Sequence, residues 1–256
     1  MIDYCQIQTT QGTIRGSIHN NSALNENNVF ALLVHGYLSS NRIGPNRLYF
    51  RLANAIAENL NITVARFDCY GMGESDGDLS STSFNDFIES YKSILNYFLE
   101  KCKNTKIILI GHCVGANIAT ELAALYKKNT IDVLLISPNF CDSYSLTKFF
   151  SDEQQFELKK KGHTVRKGIV VNSTFFFGRN TAENVVSRIE ALTCGWCLVI
   201  GTKDEFFNYM PTKNKLSSSF IIEIENADHN YLGQYESKLL IESCIKYLRS
   251  KINNNL

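Results

Sequence analysis

The chain has 256 residues, 44% of them hydrophobic and 20% charged, with a formal net charge of +1. That length suits one α/β domain with a full core, and so balanced a charge gives no field favouring nucleic acid or an anionic membrane. No apolar run reaches the roughly 18 residues of a membrane-spanning helix, and Met1-Ile2-Asp3-Tyr4-Cys5 lacks the basic and apolar stretches of a signal peptide. The eight cysteines are scattered, several within apolar runs, so most are expected reduced and buried in a cytoplasmic protein.

Residues 4–19 alternate polar and apolar about Gln11-Gly12, the pattern of an antiparallel hairpin. The Asn-rich segment 20–28 reads as a loop, and Val29–Val34 as a fully buried strand ending at His35-Gly36-Tyr37. Pro45 to Leu60 carries Leu48, Leu52, Ala55 and Ile56 on one helical face. A strand over Ile62–Phe67 leads into the glycine-punctuated loop Asp68 to Ser75. Phe84, Phe87, Tyr91, Ile94, Leu95 and Phe98 then mark a long amphipathic helix, with Ser81 and Ser83 as candidate caps.

The run Ile107–Ile110 reads as a buried strand, and Ala116, Ile118, Ala119, Leu122, Ala123 and Leu125 as the helix after it. A strand over Val133–Ser137 stops at Pro138. This alternation predicts a mostly parallel sheet covered by helices on both faces. The rhythm breaks between Asn139 and Asn180, a polar, phenylalanine-containing stretch with the run Lys159-Lys160-Lys161. We expect an inserted cap at about 140–172 over the carboxyl edge of a single domain spanning 1–256. The lysines read as a solvated face. Beyond it follow a helix over 181–192, strands over 197–201 and 220–224, and a last helix over about 231–249.

Between the strand at 107 and the helix at 116 lies Gly111-His112-Cys113-Val114-Gly115, the nucleophile-elbow pattern with cysteine where serine is commoner. A side chain thrown out of so sharp a turn needs neighbours without Cβ atoms, and the following helix N-terminus favours a thiolate. Two residues complete a triad in the order nucleophile, acid, base. Asp204 follows one strand and His229 the next, so both loops open on the elbow's edge. Each also has a plainer reading: Cys113 as a buried structural thiol, Asp204 as a helix cap, His229 as a surface ring, His112 and Asp228 as structural. Cys194-Gly195-Trp196-Cys197 has redox or half-zinc-site spacing, but it precedes a strand and has no second cysteine pair at ligand spacing. No metal or cofactor is expected.

These motifs resemble the α/β-hydrolase superfamily, within its serine-aminopeptidase-like and cinnamoyl-esterase-like branch. The resemblance runs from about Val29 to the end. His35-Gly36 is similar to that family's oxyanion signature, and Asp68 with Gly71-Met72-Gly73-Glu74-Ser75 to its glycine-rich loop. Gly201-Thr202-Lys203-Asp204 and Ala227-Asp228-His229 resemble its acid and base turns. Asn41 to Leu48 resembles a subset found beside exosortase or polyketide genes, some of which carry an elbow cysteine. The resemblance implies Cys113, Asp204 and His229 as catalytic residues, and an oxyanion hole from the Tyr37 and Val114 N–H groups. It implies hydrolysis of an ester or thioester through an acyl-cysteine. Passing the acyl group to an amine, alcohol or thiol, as an acyltransferase or cyclase, is the alternative, and a non-catalytic binding module the reading from another class. The expected partner is a small or carrier-borne acyl substrate, with no nucleic acid and no membrane.

Overall fold

Alternate residues of each central strand are buried on opposite faces of one sheet, and that division generates two cores. The computed structural model describes residues 1–20, 28–37, 41–102, 104–138, 150–177, 187–205 and 221–255. Its strands are β1 (Ile2–Gln8), β2 (Thr13–His19), β3 (Val29–Val34), β4 (Thr63–Phe67), β5 (Lys106–His112) and β6 (Thr130–Ile136). After these come β7 (His163–Arg166), β8 (Ile169–Asn172), β9 (Gly195–Gly201) and β10 (Ile221–Ile224). Eight of them form a sheet in the order β1-β2-β4-β3-β5-β6-β9-β10. The β1–β2 and β2–β4 pairs are antiparallel; every pair from β4 to β10 is parallel.

Phe30, Leu32 and Val34 of β3, with Leu109 of β5 and Leu135 of β6, enter one core. Helices α2 (Phe84–Lys101) and α3 (Val114–Leu125) cover that face with Phe87, Tyr91, Ile94, Ile118 and Leu122. Ala31, Leu33, Ile108, Ile110 and Leu134 enter the other core, under α1 (Leu48–Leu60) and α6 (Gln234–Asn255), which supply Leu52, Ile56, Leu240 and Leu248. Strands buried on both sides read as continuous apolar runs, as these do.

The hairpin at 4–19, the alternation and the doubly covered sheet are as the sequence predicts. Several boundaries move. β6 begins three residues before Val133, because its first turn of pairing uses the polar Thr130 and Asp132. Residues 45–47 form a separate short 3₁₀ turn, with Asn46 and Arg47 at positive φ, before α1 starts. The buried stripe of α1 is wider than expected and contains Tyr49 and Ala53 rather than Ala55. Ser83, not Ser81, caps α2: its Oγ accepts from the Asp86 N–H while Asp86 accepts from the Ser83 N–H. That reciprocal pair satisfies two donors the helix cannot satisfy itself. The final helix starts at Gln234 and runs on to Asn255.

The segment after β6 has structure of its own. Residues 139–149 lie outside the described part; beyond them stand α4 (Asp152–Lys161), the β7–β8 hairpin and α5 (Ser173–Phe177). Of the expected helix over 181–192, residues 187–190 are described and helical, and Phe220 of the expected strand 220–224 lies outside. No helix among the described residues is long and apolar enough to cross a membrane.

Candidate active site

Cys113 joins β5 to α3 with φ 56° and ψ −122°. A non-glycine residue held there costs on the order of 1–3 kcal/mol and persists only where its surroundings enforce it. The enforcement is visible. The Cys113 N–H donates to the Ile136 carbonyl at 3.0 Å, and its own carbonyl accepts from the Ala116 N–H at 3.1 Å. A Cβ on Gly111 would strike the backbone of Gly115 and Ala116, and one on Gly115 would strike the Val34 and His35 carbonyls. Both glycines are therefore required by close approach, and the sulfur is set at the N-terminus of a twelve-residue helix.

The parallel register carries Asp204 and His229 to the same edge. Asp204 lies just past β9 and His229 just past β10. Their turns are stitched together: the Lys203 N–H donates to the Ala227 carbonyl at 2.9 Å, and the Asn226 N–H to Thr202 Oγ1 at 2.8 Å. His229 Nδ1 donates to both Asp204 carboxylate oxygens, at 3.0 and 2.9 Å. With Nδ1 committed there, Nε2 is the nitrogen left for the Cys113 sulfur, which also hydrogen-bonds this ring. Burial alone would lower the basicity of His229. The interaction with Cys113 and the Asp204 hydrogen bond outweigh it and push the ring up to about 10.

The loop after β3 comes close to the elbow. Gly36 is close enough that a Cβ built on it would lie 3.4 Å from the Cys113 Cβ. Tyr37 follows it, and Val114 opens α3, so the Val114 N–H is one of those a helix leaves without a helical acceptor. His35 braces this loop. Its Nδ1–H donates to the Gly36 carbonyl at 2.6 Å and its Nε2 accepts from the Cys69 N–H at 3.1 Å. The Asp68 carboxylate accepts from the backbone N–H groups of Arg42 at 2.7 Å and Glu74 at 3.0 Å, and pairs with the Arg42 guanidinium. It thereby anchors its glycine loop.

His112 and Tyr49 were not assigned a part in the site by sequence. The buried His112 ring receives the Tyr49 hydroxyl at 2.6 Å on Nδ1 and faces the His229 carbonyl at 2.8 Å with Nε2. Tyr231, two residues past the base, lies with its hydroxyl 3.0 Å from Ser137 Oγ, and Asp228 accepts from the Asn230 and Leu232 N–H groups at 3.0 and 3.1 Å. The single signal available was a tyrosine at the start of a helix whose neighbours are apolar.

The profile of the serine aminopeptidase family, S33, matches residues 26–150. The chain has the α/β-hydrolase fold. Among solved structures, mouse alpha/beta hydrolase domain-containing protein 10 is 18% identical with a TM-score of 0.70, over 97% of this chain and 99% of that one. The esterase Est1E of Butyrivibrio proteoclasticus, solved with ferulic acid, is 15% identical with a TM-score of 0.70, over 97% and 99%. The thioesterase domain of the curacin biosynthetic pathway is 14% identical with a TM-score of 0.63, over 95% and 99%. At such identities the likeness is one of fold. No curated protein sequence matches the chain.

The described segment after β6 packs against the loop that follows β3. Phe175 of α5 stacks on Tyr37 with centroids 3.5 Å apart, and meets Phe87 edge-on at 5.2 Å. Phe150, Leu158 and Val171 join the same core. Lys159, Lys160 and Lys161 are exposed in the last turn of α4, Lys161 pairing with Glu157 at 2.7 Å. Cys194, just before β9, packs against one core and Cys197, on β9, lies in the other, so the two thiols are not set facing each other as a redox pair. All described cysteines are free.

Proposed function

We propose that the protein hydrolyses an ester or thioester through Cys113, His229 and Asp204, by way of an acyl-cysteine. The observation that carries this reading is the strained Cys113 at a helix N-terminus, hydrogen-bonded to an imidazole that Asp204 holds through Nδ1. The thiolate attacks the acyl carbonyl, and the new oxyanion takes hydrogen bonds from the Tyr37 and Val114 N–H groups. The His229 imidazolium gives its proton to the departing alcohol or thiol as the tetrahedral adduct collapses to a thioester. Acylation removes the negative charge that kept the ring protonated, so the neutral imidazole is ready to take a proton from water for hydrolysis. Asp204 keeps the tautomer throughout. The Phe175–Tyr37 stack ties the segment after β6 to the loop proposed to bind the oxyanion, which fits a cap at about 140–172 covering an apolar acyl group.

Mass spectrometry of the protein incubated with a panel of acyl thioesters and aryl esters tests the reading. Wild type should gain an acyl mass on the Cys113 peptide and release free acid. Cys113→Ala should carry none and turn over on the order of 10⁶-fold more slowly. Undiminished turnover in Cys113→Ala removes the nucleophile assignment.

A further inference from the structure

His112 precedes the nucleophile, yet its ring is buried between the Tyr49 hydroxyl and the loop that carries the base. We propose that His112 is a positioning residue, holding the main-chain carbonyl of His229 through Nε2–H in a tautomer that Tyr49 selects. The proposal rests on the reading that Cys113 and His229 work as a pair.

A carbonyl oxygen only accepts, so the 2.8 Å contact from Nε2 to the His229 carbonyl places the proton on Nε2. Nδ1 of the neutral ring is then a lone pair, and the Tyr49 hydroxyl donates to it at 2.6 Å. The other tautomer would set the Nε2 lone pair against the carbonyl, so the Tyr49 proton decides whether His112 attracts the base loop or repels it. Burial, then the neighbouring charge of His229, pushes His112 down to about 3. The ring is therefore a neutral prop at any working pH. Its centroid is 5.2 Å from that of His229, and at that separation in a buried setting only one ring carries charge. Neutrality of His112 leaves the proton on His229.

The same bonds reach the oxyanion loop. The Tyr49 hydroxyl accepts from the Gly36 N–H at 3.4 Å, and Gly36 precedes Tyr37. One directed chain thus runs from Gly36 to Tyr49 to His112 to the His229 carbonyl. It joins the loop proposed to bind the oxyanion to the loop that carries the proton.

The experiment measures the rate of Cys113 labelling by iodoacetamide, read on its peptide by mass spectrometry, at pH 6 and pH 9. At pH 6 labelling depends on a well-placed imidazolium; at pH 9 a thiolate forms with less help. His112→Leu should lower the pH 6 rate about tenfold and the pH 9 rate much less. His112→Gln, whose amide N–H can take the place of Nε2–H, should recover most of the loss. Tyr49→Phe should cost about threefold at pH 6 in the wild-type background and nothing in the His112→Gln background, because Tyr49 acts through the imidazole tautomer. An unchanged pH 6 to pH 9 ratio in His112→Leu overturns the proposal. So does His112→Gln falling as far as His112→Leu, or a Tyr49→Phe effect equal in both backgrounds. If His112→Leu does not fold, the Gln and Phe variants decide alone. Wild-type Cys113 labelling at pH 6 no faster than cysteine in the unfolded chain would overturn the triad as well. Fast wild-type labelling with unaltered variants overturns the positioning role only.

Discussion

At the carboxyl ends of β5, β9 and β10 stand Cys113, Asp204 and His229; at the amino ends of β6 and β9 stand Asp132, Cys194 and Cys197, joined by Tyr247 from α6. Both clusters combine cysteine, a carboxylate and a ring carrying a polar group. At the first, the cysteine sits at a helix N-terminus and meets a cation. At the second, burial followed by the negative charge of Asp132 pushes Cys194 up to about 11 and Cys197 up to about 12. The carboxylates diverge in the same way. Asp204 is bridged by an imidazole on both oxygens, whereas Asp132 accepts from the Tyr247 hydroxyl at 3.0 Å on Oδ2 and leaves Oδ1 buried without a partner among the described residues. Residue type does not separate the two clusters. A cation, a helix N-terminus and a close-packed turn do.

The largest separation between the two regions should come from removing one carboxylate at a time. Asp204→Asn keeps the shape of the site but offers His229 a mixed donor and acceptor, which favours the wrong tautomer. Turnover should fall on the order of 10⁴-fold, measured as kcat/KM with an ester that labels Cys113. Asp132→Asn should leave kcat/KM within about twofold, since nothing at the amino edge touches the reacting groups. Equal losses from the two substitutions would collapse the distinction.

A smaller effect concerns the thiols themselves. At pH 7 a thiol at about 11 is thiolate in roughly one part in 10⁴, and one at about 12 in ten times less. Iodoacetamide at pH 7 should therefore modify the Cys113 peptide at least about 10³-fold faster than the peptides of Cys194 and Cys197 in the folded protein. Comparable rates would mean that burial and charge do not separate these sites.

The carboxyl-edge site was largely legible because its determinants are local. The glycine spacing about Cys113, a strand before each of Cys113, Asp204 and His229, and the order of the three survive in sequence as short patterns. Parallel register then brings the loops to one edge without further instruction. Illegible were the contacts that join residues distant in the chain. Tyr49 meets His112 sixty-three positions later and Tyr247 meets Asp132 across 115. Neither partner carries a periodic signal, since each is a single polar atom inside an apolar stripe. The Cys194–Cys197 spacing shows the converse, a local pattern that misleads when the backbone is extended. Three residues apart, with Cys197 on the strand and Cys194 at its entry, the two side chains pack into different cores. The helix, hairpin and short helix between Asp152 and Phe177 escaped notice because polar, short elements lack a long period to read.

The smallest expected effect tests the amino-edge cluster directly, as stability rather than activity. Burial raises the Asp132 carboxyl from an ordinary 3.8 to about 6, against the opposing hydrogen bond from Tyr247 and the charge of Lys251. Below the lower value both folded and unfolded chains hold the proton. Between the two values the unfolded chain has lost it and the folded chain retains it. Stability therefore falls as pH rises through this window, by about 3 kcal/mol from this group alone. Above about 6 the folded protein carries a buried charge with one oxygen unpaired. Asp132→Asn removes that charge and still accepts from the Tyr247 hydroxyl. Its new amide N–H₂ faces the same unpartnered space, which returns about 1 kcal/mol of the gain. The variant should then be more stable than wild type by about 2 kcal/mol at pH 7.5, and the advantage should vanish near pH 4. Urea unfolding of both proteins at the two pH values measures it. A variant less stable than wild type at pH 7.5 would show that Asp132 is held as a productive anion, and the contrast with Asp204 would then have to rest on the thiols alone.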